Sequence, residues 1–69
     1  MLFRSARSQV AQRFQAASPL RAQAQDYGRR AKDESLSPDI RQSYRKVAQS
    51  LRDNAAQLER QAWQMKTAL

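Results

Sequence analysis

"SPDIRQSYRKVAQSLRDNAAQLERQAWQMKTAL", residues 37 to 69, is the stretch on which the fold turns. Ser37 offers a hydroxyl N-cap, and Pro38 suits the first helical position, where the missing N–H costs nothing and φ is already set. From there Ile40, Tyr44, Val47, Leu51, Ala55, Leu58, Ala62, Met65 and Leu69 recur at steps of three and four. At 100° per residue they share a stripe about 80° wide, which predicts an amphipathic helix over 38–68. Asp39 in its first turn and Lys66 in its last complement the helix dipole. Such a helix is about 45 Å long, too long to sit inside a globular bundle of this size. Something of equal length must cover its apolar stripe.

The preceding residues supply that cover. Ser18-Pro19 repeats the Ser-Pro signal, which predicts a helix start at Pro19 and two segments, 3–17 and 19–34. The first presents Phe3, Ala6, Val10, Phe14 and Ala17 on one face. The second presents Leu20, Ala24, Tyr27 and Ala31. Opposite charges four apart (Asp26–Arg30, Arg29–Asp33, Arg30–Glu34) support the second segment from its exposed side. Laid end to end, the two segments match the last helix in length. The expected fold is all-α, one domain over residues 1–69. It is a long antiparallel helical hairpin whose first arm is kinked or broken at Pro19 and whose turn is Ser35-Leu36-Ser37. A register in which paired residue numbers total 75 sets Ala31 against Tyr44, Ala24 against Leu51, Leu20 against Ala55 and Ala17 against Leu58. Small then faces large, as interdigitated packing requires.

Composition agrees and narrows the chemistry. The chain has 69 residues, one Gly, two Pro, no Cys and no His. Disulfides are excluded, and so are zinc or haem sites of the usual kinds. No apolar run approaches the roughly 20 residues of a membrane span. The net charge of +7 is uneven: residues 1–25 carry four arginines and no acid, and residues 40–69 carry six bases against two acids. That balance favours an acidic partner.

"YGRRAKDESLSPDIRQSYRKVAQSLRDNAAQLER", residues 27 to 60, resembles short helical-hairpin proteins of alphaproteobacteria. Tyr27 and Ala31 fall on the pattern of the first helix in those proteins. Pro38, Arg41, Tyr44, Ala48 and Leu51 fall on that of the second. The resemblance implies a hairpin in a bacterial cytoplasm, and it carries no activity, cofactor or site. Residues 1–18 have no counterpart in the pattern.

Catalysis is not expected. Without His or Cys the usual nucleophile–base pairs cannot be built, there is no glycine-rich phosphate loop, and Asp33, Glu34 and Asp39 lack calcium-loop spacing. No cofactor or metal is expected. A better candidate lies on the last helix, where Arg41, Arg45 and Arg52 fall at 100–140° from Ile40 on the helical wheel. Trp63 is near the same angle, off the apolar stripe. Arg and Trp are the residues that interfaces favour most. With Arg4 and Arg7 as a second patch, they make the expected partner surface. The expectation is a small, non-catalytic protein–protein interaction module, docked on an acidic partner or on its own copies. Non-specific nucleic-acid binding through the same bases is the rival. Glu59 interrupts the ridge, and no helix-turn-helix or finger spacing supports sequence reading.

"LFRSARSQVAQRFQAAS", residues 2 to 18, is rich in Arg and Ser and free of acid, the composition of a targeting presequence. A membrane-surface helix would want a larger apolar face than Phe3, Val10 and Phe14 provide. Because its stripe continues the seam that Leu58 and Met65 need covered, we read it as the distal half of the first arm. That implies a cytoplasmic protein, or one of the mitochondrial matrix if the segment is an address.

Overall fold

The computed structural model describes residues 6–68 and forms an antiparallel hairpin of two helices, α1 (Ala6–Arg30) and α2 (Pro38–Thr67). It measures 54 × 21 × 14 Å. The expected all-α hairpin is therefore the fold. Phe3, Arg4 and Leu69 lie outside the described residues.

The first arm differs from expectation. Helix α1 runs unbroken through Pro19. An interior proline removes the bond to the carbonyl four residues back and crowds it, a cost of about 3 kcal/mol. Pro19 itself is exposed, whereas Ala17 before it and Ala24 after it are buried against α2. Breaking the helix would lift one half off that seam. Packing on both flanks thus overrides a signal that reads locally as a start.

The same helix ends at Arg30, four residues early. Lys32 N–H donates to the Arg29 carbonyl and Asp33 N–H to that of Arg30, both at 3.1 Å, which tightens the last turn. Asp33 Oδ1 then accepts from the Ser35 amide at 2.9 Å and the Ser35 hydroxyl at 2.6 Å. That local bonding competes with further helix. Consequently Asp33 and Glu34 are not helical. Of the three anticipated pairs, the structure forms Asp26–Arg30 at 3.0 Å, and Asp33 turns to Ser35 instead of Arg29. Helix α2 begins as read: Ser37 is extended, its Oγ accepts from the Ile40 amide at 3.3 Å, and Pro38 follows.

Among the described residues, seven form the buried core: Val10, Ala17 and Ala24 on α1 with Ala31 just beyond its end, and Ala48, Ala55 and Ala62 on α2. Each set recurs every seventh residue, the 3.5-residue period of a coiled coil. Tyr44, Leu51, Leu58 and Met65, also seven apart, flank the α2 line and are half-buried, as are Leu20 and Tyr27 on α1. Methyl groups on the contact line let the backbones approach more closely than leucines would. The α2 seam therefore passes through Ala48 and not through Val47, which is 40% exposed, while Ile40 is 46% exposed. Contacts across the hairpin pair Tyr27 with Tyr44, Phe14 with Trp63 and Arg21 with Glu59. Their numbers total 71, 77 and 80, bracketing the expected 75.

Candidate functional site

Near the connector, an open groove of about 780 Å³ runs between the helices. Five cations line it: Arg29 and Lys32 from the α1 side, and Arg41, Arg45 and Arg52 from α2. Glu34 is the one acid on its wall. Its floor includes Gly28, Ala31 and Ala48, all small. Three of the five cations are the arginines singled out on the helical wheel. Single-helix reasoning missed the other two because they come from the opposite arm. The register could have found them, since totals of 75 put residues 29 and 32 opposite 46 and 43.

Two of the arginines sit in unusual positions. Arg41 is seven residues before Ala48, so it takes a place on the contact line that alanine fills at 48, 55 and 62. Its Nε is buried and has no acceptor among the described residues. An unsatisfied buried donor costs about 1–3 kcal/mol. Arg41 also lies in the first turns of α2, where the dipole disfavours a cation. Arg52 folds over Gly28, the chain's single glycine: a Cβ added there would stand 3.3 Å from Arg52 Nη2. Gly28 has no positive φ to explain it. What the missing side chain provides is room for a guanidinium.

Charge compensation is uneven over the hairpin. Glu59 leaves the ridge and crosses the seam to Arg21, at 2.6 Å from Arg21 Nε. Asp26 forms an ion pair with Arg30 at 3.0 Å and lies 3.8 Å from Arg29. Arg45 reaches only Gln42, at 3.1 Å. Neither Arg41 nor Arg52 forms a salt bridge among the described residues. Arg41 acts electrostatically on Asp33. The Ser35 hydroxyl, then the Ser35 amide, hold its carboxyl below the ordinary range, with a smaller pull from Arg41.

Trp63 is not part of this groove. It lies eleven residues beyond Arg52, about 16 Å along α2. Its ring meets Phe14 edge-on at 5.6 Å, with Lys66 Nζ 4.8 Å from the ring centre. Trp63 remains 54% exposed. Arg7 lines a separate cleft of about 500 Å³ beside Phe14 and Lys66, at the free end. Arg4 falls outside the described residues. The anticipated partner surface therefore divides into a cationic groove at the connector and an aromatic patch at the free end.

Among the described residues no helix is long and apolar enough to cross a membrane. Comparison with known protein families, curated proteins and solved structures finds no match.

Proposed function

We propose that this chain is a small, non-catalytic interaction module that docks an acidic protein partner through its connector-end arginines. The observation that carries the reading is the excess of positive charge there: five cations share one groove with a single acid, and Arg41 and Arg52 form no salt bridge among the described residues. By contrast Arg21 is paired with Glu59 across the seam. Exposed Ile40, Val47 and Trp63 add apolar area that a docked partner or a second copy would cover. The family resemblance over residues 27–60 adds a hairpin in a bacterial cytoplasm to this proposal and nothing about a partner.

The rival is non-specific nucleic-acid binding. A surface neutralising five duplex phosphates would lose affinity with a log–log salt slope of about −4 to −5. The decisive experiment is native mass spectrometry of the endogenous protein, purified at low salt from its own cells. A complex of defined stoichiometry with an acidic protein is the expected result. Heterogeneous nucleic acid that leaves as salt rises would overturn it, and so would a bare monomer.

A further inference from the structure

We infer that the groove between α1 and α2 is the docking channel for an extended acidic peptide segment of about five residues. This deepens the docking reading above and rests on it. The inference specifies a shape of partner, a strand lying between the arms, and gives Gly28, Arg29 and Lys32 a part in binding it.

Four observations support a channel over a flat charged flank. The cations stand on both walls, Arg29 and Lys32 facing Arg41, Arg45 and Arg52. The floor at Gly28, Ala31 and Ala48 is made of the smallest residues, which leaves depth for a main chain. Arg41 interrupts the alanine line and keeps its Nε buried without an acceptor. A residue that breaks the local packing rule with no structural return is the signature of a functional position. Finally, the one glycine in the chain clears the space over which Arg52 lies.

Length and lining then select the occupant. From Arg41 to Arg52 the wall extends about 16 Å. An extended peptide rises about 3.3 Å per residue, so about five residues span it. Guanidinium forks match carboxylates bidentately. Single-stranded nucleic acid is held on aromatic stacking platforms, and no aromatic residue lines this groove. Duplex is read by elements that protrude into its grooves, whereas this site is concave.

The test uses the full chain and two probes of equal negative charge, fluorescein-labelled hexaglutamate amidated at its C-terminus and hexathymidylate whose dye is joined through a 5′-phosphodiester, by fluorescence anisotropy at low and physiological salt. Hexaglutamate is expected to bind at least about tenfold more tightly. Arg29→Gln with Lys32→Gln should weaken peptide binding about tenfold, the scale of one lost charge pair. Arg13→Gln with Arg60→Gln removes the same charge away from the groove and should change it less than about twofold. Gly28→Leu keeps every cation and fills the floor, so it should abolish peptide binding while circular dichroism stays helical. Should that variant misfold, the Arg29/Lys32 pair, at exposed positions, carries the test. Equal losses in the two double variants would overturn the channel, because net charge alone would then be responsible, while leaving the docking reading in place. Equal or tighter binding of hexathymidylate would overturn the peptide assignment. No hexaglutamate binding by the wild-type chain would overturn the channel, even if native mass spectrometry finds an acidic partner.

Discussion

The two ends of the hairpin share one seam and use their positive charge in opposite ways. At the free end, Lys66 lies over Trp63, Trp63 packs on Phe14, and Arg7 borders the same apolar cleft. Lys66 there is satisfied against aromatic surface. At the connector end the same heptad geometry carries Arg41 where alanine fits, and Arg52 lies over a glycine. Neither of these arginines forms a salt bridge among the described residues. The connector end also packs, through Tyr27 and Tyr44, but it places Arg41 on the contact line at the expense of that packing.

Substitutions can break or sharpen that contrast. The largest effect should come from the seam that both ends share. Ala55 is fully buried, so Ala55→Leu should overpack the contact line and cost about 2–3 kcal/mol. In a domain this small that is a fall of more than about 10 °C in Tm by circular dichroism. Val47→Leu, on the exposed side, should leave Tm within about 2 °C, and equal responses would show the seam misplaced. Next, Pro19→Ala should restore a hydrogen bond to the Gln15 carbonyl and raise stability by about 2 kcal/mol, read from the urea midpoint. An unchanged midpoint would mean that the proline costs α1 nothing.

The two ends should then respond with opposite sign. Arg41→Leu removes a buried unsatisfied donor and fills the contact line, so it should stabilise the hairpin by about 1 kcal/mol while weakening acidic partners. Trp63→Ala loses an edge-on aromatic pair and should destabilise it by about 1 kcal/mol. If both destabilise, the contrast between the ends fails. The smallest effect concerns pH. Asp33 titrates below its ordinary 3.8 when folded, so the unfolded chain binds the proton first as pH falls. Its contribution is present above about pH 4 and disappears as pH drops through the lowered value. Ser35→Ala should return the Asp33 titration, followed by NMR, toward the ordinary range. A titration that does not move would place the cause elsewhere.

Much of the architecture was legible because periodicity is a strong signal. Ser37-Pro38, the α2 pattern and a register near 75 could be read directly, and they suffice to close a hairpin. Two features were hidden for physical reasons. Ser18-Pro19 obeys the local chemistry of a helix start, and only the seam on both sides of it shows why the helix continues. The phase of the α2 seam was displaced toward Val47 and Ile40 because larger side chains weigh more on any hydropathy scale. Close approach of two backbones instead rewards the smallest residue, which puts Ala48 inside. The site divided in the same way. Arg41, Arg45 and Arg52 were visible on one helical wheel, whereas Arg29, Lys32 and Gly28 become neighbours only across the turn.

The short connector has a consequence for how the molecule comes together. Residues 31–37 join the arms, so the pairs beside them close the shortest loops in the hairpin, braced by the Asp33–Ser35 bonds and the Ser37 cap. Every pairing farther from the turn requires a longer loop and a larger entropy loss unless the pairs before it have formed. Assembly therefore zips outward from the connector. The arginines of the groove are brought together while the free ends are still apart.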